Sequence, residues 1–461
     1  MGFDSIFYLS CFLPAALVLY WWFPGVKGKN GVLLLIGLVF YAFGSFSGLI
    51  LLIAAGVFNY LMGLLVPKSK VFLILGIAAD LAFLCVFKYL TFLLESLLGL
   101  PAADLGIAVP LGMSFFLFKA ISYLVDTRRE PQSGTKNFFR FFLYLSFFPQ
   151  VTAGPISRYS QFAGQLDRRE LTLEGTAKGL RRFLVGLSKK VLLCSAIGAV
   201  ADGVFGLDTG LLDARLAWLG AIAYCLQIYF DFSGYSDMAI GMGQMLGFST
   251  PENFRYPYVA ASIGDFWRRW HISLSSWFRD YLYIPLGGNR KGSIRTAFNK
   301  LIVFTLCGLW HGSAWTFLLW GTWHGLFSAL ESLNVIRAKK ATVLGHIYTM
   351  LVVCIGFVMF RASDVSQGFA VIGAMFTGLF TGFRFQDAAT VQLYRLVNAE
   401  TVTALIAGAV LALPLKGWIE SKPRLNRVAQ PVSYILCVIL FVLCVMKLAA
   451  GGFAPFIYAQ F

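Results

Sequence analysis

The sequence predicts an all-α polytopic membrane protein. Of its 461 residues 58% are hydrophobic and 13% charged, and the mean hydropathy is +0.73. The apolar runs approach the ~20 residues that one helical crossing needs, whereas barrel strands would alternate over short segments. The net charge of +16 would suit a nucleic-acid binder in a soluble chain. Here Lys and Arg fall in the short connections between apolar runs, as membrane topology requires, so a lipid bilayer and no nucleic acid is the expected partner. Eight cysteines lie scattered with no CxxC and no His at ligand spacing, so no metal is expected.

The first apolar run, Phe7 to Phe23, lacks a basic flank and a small-residue cleavage site and reads as a retained first span. Val32 to Phe46, Leu49 to Val66, Val71 to Phe87 and Tyr89 to Leu100 follow, with Lys27, Lys29, Lys68 and Lys70 in two of the gaps. Two crossings separate those lysine pairs, which places both on the cytoplasmic side and the N-terminus outside. Asp80 and Lys88 lie eight residues apart, near one face of a helix, where they could pair or line a polar cavity.

Further runs are Ile107 to Val125, Phe138 to Val151, Phe183 to Val204, Leu216 to Phe230, Met238 to Phe248, Leu301 to Leu330, Val343 to Phe360, Phe369 to Phe380, Val402 to Leu415 and Val432 to Ala449. Those too short to span read as re-entrant or broken helices packed within protein, around a funnel or cavity. The basic clusters Arg337, Lys339, Lys340 and Lys416, Lys422, Arg424, Arg427 have three apparent crossings between them, so one of those segments does not cross if both clusters are cytoplasmic. The longest polar connections, Thr127 to Asn137, Gly154 to Arg182 and Gln386 to Glu400, leave no room for a soluble domain. Any function must be built into the bundle, a single domain over residues 1–461.

Three of the four histidines fall between Asp265 and Gly325, in DFWRRWHISLSSWFRDYLYIPLGG and LCGLWHGSAWTFLLWGTWHG. Imidazoles in apolar surroundings are costly unless hydrogen-bonded or chemically employed. On one helix, Asp265, Arg268, His271, Ser275 and Arg279 share a face opposite Phe266, Trp270, Leu274 and Trp277, which describes an interfacial amphipathic helix. Its arginines Arg268, Arg269 and Arg279, with Arg290, Lys291 and Arg295, could hold an anion such as the phosphates of coenzyme A. On a continuous helix His311 and His324 would stand about 140° apart, which argues against a metal pair. Either suits a structural hydrogen bond or general-base chemistry on a hydroxyl. Gly308, Gly312, Gly321 and Gly325 suit close helix packing. The run YCLQIYFDFSGYSDMAIG embeds Gln227, Asp231 and Asp237 in apolar context, where a transporter would bind ions at a broken helix and an enzyme would orient a base or line a channel. Ser114, Lys119, Gln150 and Arg158, in PLGMSFFLFKAISYLVD and FFPQVTAGPISRY, read as structural.

Those two motifs, then IYFDFSGYSDMAIG, NFRYPYVAASIGDFWRRWHISLSSWFRDYLYIPLGG and GLWHGSAWTFLLWGTWHG, stand in an order that resembles the membrane-bound O-acyltransferase superfamily, in particular its bacterial alginate O-acetyltransferase-like branch. The resemblance is most diagnostic over residues 110–325. It implies a helical ring around a central funnel, in which an acyl group from a cytoplasmic thioester reaches a hydroxyl at or across the membrane. By the same resemblance His311 assists deprotonation of that hydroxyl and His271 lines or polarises the channel. His324 ranks below both, while Asp231, Gln227, Arg268, Arg269, Ser275, Arg279 and Trp310 are candidates for binding substrate or lining the channel. The implied donor is acetyl-CoA, with no bound cofactor. Implied partners are a separately encoded extracytoplasmic acetyltransferase and a polysaccharide acceptor, for a protein of the bacterial inner membrane. Two alternatives stay open: D-alanyl transfer to teichoic acid from an acyl-phosphopantetheine carrier protein, and a transporter or flippase.

Overall fold

The computed structural model describes residues 2–99, 109–337, 342–377 and 387–451, and every regular element among them is helical. Seven of the described helices are long and apolar enough to cross a membrane: Gly25–Gly44, Phe46–Leu65, Lys70–Glu95, Leu173–Phe205, Ala214–Met245, Val343–Arg361 and Pro423–Ala449. This is a multi-pass membrane protein. Only 11% of the Pro423–Ala449 window is buried, and Val432, Ile435, Val438 and Val442 stand exposed along it, a surface that lipid and not water would cover. Ala214–Met245 is the opposite case, with 83% of its window buried.

The chain forms two compact units. The first takes the described residues up to Phe183 together with Tyr235–Glu252. It contains α1 (Leu13–Trp22), α2 (Gly25–Gly44), α3 (Phe46–Leu65), α4 (Lys70–Phe92), α5 (Met113–Arg129), α6 (Phe138–Ser146), α7 (Tyr159–Ala163) and the start of α8 (Leu173–Ser188). The apolar stretch Tyr8–Trp22 is helical but shorter than a full crossing. Lys88 does not divide the two runs around it, because α4 carries on through Phe92 into a wider turn at Leu93–Leu97. Asp80, expected to pair with Lys88 or line a cavity, accepts instead from Asn59 Nδ2 on α3 at 2.8 Å.

The second unit takes Leu184–Gly234 and the described residues from Asn253 on. It holds α9 (Ser195–Phe205), most of α10 (Ala214–Met245), α11 (Ile263–Arg269), α12 (Ile272–Phe278), α13 (Gly292–His311), α14 (Trp315–Ser332), α15 (Val343–Arg361), α16 (Val365–Thr377), α17 (Ala388–Leu396), α18 (Ala399–Leu411), α19 (Leu415–Glu420) and α20 (Pro423–Ala449). Lys339 and Lys340, like residues 378–386 with the end of the run to Phe380, lie outside the described residues.

Three expectations change here. The runs Leu216 to Phe230 and Met238 to Phe248 join into the single helix α10, since its polar residues find partners that keep the backbone helical. Asp231 meets Lys190 at 2.6 Å in the second unit, and Asp237 meets Arg182 at 2.9 Å in the first. The run Leu301 to Leu330 is two helices, α13 and α14, reversing at Gly312 to Ala314; thirty apolar residues are more than one crossing needs. His311 and His324 therefore sit on different helices. The amphipathic helix around Asp265 is also two, broken at His271.

Candidate active site

All three histidines of the diagnostic region belong to the second unit, so their surroundings follow from its packing alone. Gly308 on α13 and Gly321 on α14 bring the hairpin's backbones together: a Cβ at Gly308 would lie 2.9 Å from the Gly321 Cα. Such approach is what small residues at helix crossings permit. It sets His311, the last residue of α13, against α14. The imidazole is only 2% exposed, and the rings of Trp310, Trp320 and Phe360 stand edge-on to it at centroid distances of 4.8, 4.9 and 5.4 Å. Trp320 also touches His324 at 5.3 Å, so one indole lies in contact with both histidines.

His324 is fully buried beside Trp267 at 5.1 Å, and neither of its ring nitrogens has a hydrogen-bond partner among the described residues. The Nε2 faces α15 where Gly356 leaves space; a Cβ there would come within 2.6 Å. This is a tightly packed histidine, in keeping with its lower rank.

His271 owes its place to a residue that the sequence motifs did not single out. Its backbone is left-handed, φ 44°, an uncommon state for a side chain with a Cβ. Asn253 holds it there. The Asn253 Oδ1 accepts from Ser273 N at 3.2 Å and Ser273 Oγ at 2.9 Å, and lies 3.1 Å from His271 Nδ1; the Asn253 carbonyl accepts from Ile272 N at 2.9 Å. Facing an acceptor, Nδ1 carries the proton and Nε2 keeps a lone pair, buried and without a partner among the described residues. Burial pushes the imidazole pKa down, so the ring is neutral. Phe232 of α10 closes one side at 4.5 Å. The two histidine clusters are joined by rings: Trp270 meets Phe357 at 5.2 Å, Phe357 meets Phe360 at 6.5 Å, and Phe360 meets His311.

The remaining candidates divide. Trp310 belongs to the His311 cage. Asp231 is fully buried against Lys190, and Gln227, one helical turn away, packs beneath Gly198 of α9. Arg269 binds Asp265 at 2.9 Å and the Arg255 carbonyl at 3.3 Å, Arg279 binds Asp280 at 2.7 Å, and Ser275 Oγ donates to the Trp270 carbonyl at 3.3 Å. These groups brace the α11–α12 corner. Arg268 and Arg279 are mostly exposed, and of the two Arg268 lines an open pocket. Among the described residues no group of three His, Cys, Asp or Glu could hold a metal ion.

Comparison with known proteins bears on what this arrangement does. The model of the MBOAT, membrane-bound O-acyltransferase family, matches residues 68–385. The chain is 38% identical to the "Probable alginate O-acetylase AlgI" of Azotobacter vinelandii over the whole of both chains. It is 34% identical to the "Peptidoglycan O-acetyltransferase" of Helicobacter pylori over 81% of this chain and 79% of that one. It is 28% identical to the "Teichoic acid D-alanyltransferase" of Bacillus subtilis over 54% of this chain and 68% of that one.

Proposed function

The chain belongs to the membrane-bound O-acyltransferase family and is an O-acyltransferase, and from that premise we propose that it carries acetyl groups from cytoplasmic acetyl-CoA to a hydroxyl at or across the bacterial inner membrane. An extracytoplasmic acetyltransferase then passes the group to a polysaccharide. The likeness over the full length of a probable alginate O-acetylase carries this reading. In the reaction His311 takes the proton of the acceptor hydroxyl while the oxygen attacks the thioester carbonyl. The ester C–O bond forms, the C–S bond breaks, and the departing thiolate leaves as the thiol after protonation. The aromatic cage around His311 supports this role, since it keeps out the water that would otherwise hydrolyse the donor. His271 offers its Nε2 lone pair toward the path of the acceptor. Gln227, Ser275, Arg269 and Arg279 shape the channel wall, and the Lys190 ion pair favours a framework role for Asp231.

The short connection Ser45 between Gly25–Gly44 and Phe46–Leu65 supports Lys27 and Lys29 lying on the same side as Lys68 and Lys70, cytoplasmic by their charge, and an N-terminus outside requires the short helical stretch Tyr8–Trp22 to cross as well. The likeness to a teichoic acid D-alanyltransferase keeps D-alanyl transfer from a carrier protein as the second reading. Ion-coupled transport loses its main support, because α10 is unbroken at Asp231 to Asp237. The test is chemical: mild alkaline release of ester-linked groups from the cell's polysaccharides, before and after deletion of the gene. Loss of acetate supports the proposal, loss of D-alanine selects the second reading, and no change in either contradicts both.

A further inference from the structure

At the start of α11 an open pocket of about 310 Å³ is lined by Ser262, Gly264, Arg268, Lys300, Glu331 and Ser332. Its size falls in the range of small-ligand sites, roughly 300–1,000 Å³. Two cations of different shape enter it from different helices, Arg268 from α11 and Lys300 from α13, and Lys300 feels the Glu331 carboxylate more strongly than it feels Arg268. Each is under-used. Arg268 reaches Asp265 through Nη2 at 3.3 Å with a side chain 71% exposed, and Lys300 Nζ reaches the Ser328 carbonyl at 3.4 Å. The acid in the pocket is already committed: Glu331 accepts from Ile263 N at 2.6 Å and Gly264 N at 3.0 Å, one oxygen to each. Ser262 Oγ accepts from Asp265 N at 3.0 Å, which leaves its hydroxyl hydrogen to donate outward.

We propose that this pocket binds a phosphate group, with Arg268 and Lys300 as its paired cations and the Ser262 hydroxyl as a neutral donor. A guanidinium, an ammonium and a hydroxyl together match the several acceptor oxygens of a phosphate. Of the arginines that the sequence offered for an anion, Arg268 holds its carboxylate, Asp265, at 3.3 Å, longer than the 2.9 and 2.7 Å of Arg269 and Arg279, and it shares the pocket with Lys300. The phosphate can come from a soluble molecule or from a lipid headgroup. The site does not depend on acyl transfer, and its test reads binding alone.

The protein purified in detergent is titrated with coenzyme A and with 3′-dephospho-coenzyme A, and phosphatidylglycerol against phosphatidylcholine retention is read by native mass spectrometry. Arg268→Gln, Lys300→Gln and a Lys416→Gln charge control are compared, each shown to be folded by its melting temperature. The expected result is about tenfold weaker binding of one phosphate-bearing probe in both pocket variants, and none in the control. Response of coenzyme A with no response of its dephospho form names a soluble phosphate monoester; response of phosphatidylglycerol names the headgroup. Coenzyme A and phosphatidylglycerol binding unchanged in both pocket variants, or lost equally in the control, overturns the site.

Discussion

His271 joins an unusual backbone to a side chain proposed for the acceptor path, and the two can be separated experimentally. A left-handed φ on a residue with a Cβ stores about 1–3 kcal/mol that the Asn253 contacts must offset. His271→Gly removes the imidazole and the strain together. Relief of strain offsets part of the packing lost against Phe232, so it is expected to melt closer to wild type than His271→Ala does while transfer activity falls in both, and equal activity would take His271 out of the chemistry. Asn253→Ala leaves the Ser273 and His271 groups unsatisfied and should cost about 1–3 kcal/mol in a thermal or denaturant melt. Here the sequence showed the histidine but not its support, because Asn253 lies outside the helical spacing that drew attention to Asp265, Arg268 and His271. His324 does not make the structural hydrogen bond that the sequence allowed it, since neither ring nitrogen has a partner among the described residues, and the indole of Trp320, which touches both it and His311, was not singled out.

Helix pairing is where sequence and structure part most clearly. Periodicity identified the apolar runs but not which of them join or divide. Lys88 and the Asp231 to Asp237 run interrupt hydropathy without interrupting helix, and for Asp231 the group that satisfies it, Lys190, comes from a part of the chain distant in sequence. A chain read alone cannot supply such a partner. Removing one member of that buried pair, as in Asp231→Ala, should destabilise the fold by about 3–5 kcal/mol, whereas Lys190→Met with Asp231→Leu should recover most of the loss. Equal melting of the single and double variants would show the pair to be incidental. The α13–α14 hairpin reads in the sequence as the single run Leu301 to Leu330, with Gly312 as a packing glycine. A Cβ on Gly308 would collide with the Phe317 carbonyl oxygen, so Gly308→Ala must part the helices and move His311. It should lower both melting temperature and transfer rate, while Gly417→Ala, with nothing within 4 Å, should change neither.

For the molecule as a whole, composition was enough for class. Its low charge, its apolar length and the placement of its lysines and arginines all describe a membrane bundle, and the seven described spans agree. Family membership rests on ordered motifs and full-length likeness, and fixes the chemistry as O-acyl transfer. The proposed base is one buried imidazole, His311 at the end of α13, held in a ring of Trp310, Trp320 and Phe360. The most direct measurement is transfer or hydrolysis of radiolabelled acetyl from acetyl-CoA by the purified protein in lipid, wild type against a folded His311→Ala. The mechanism predicts release or transfer by wild type and a fall of at least about 100-fold in the variant, the scale of a lost general base. Equal turnover by the two proteins would contradict it.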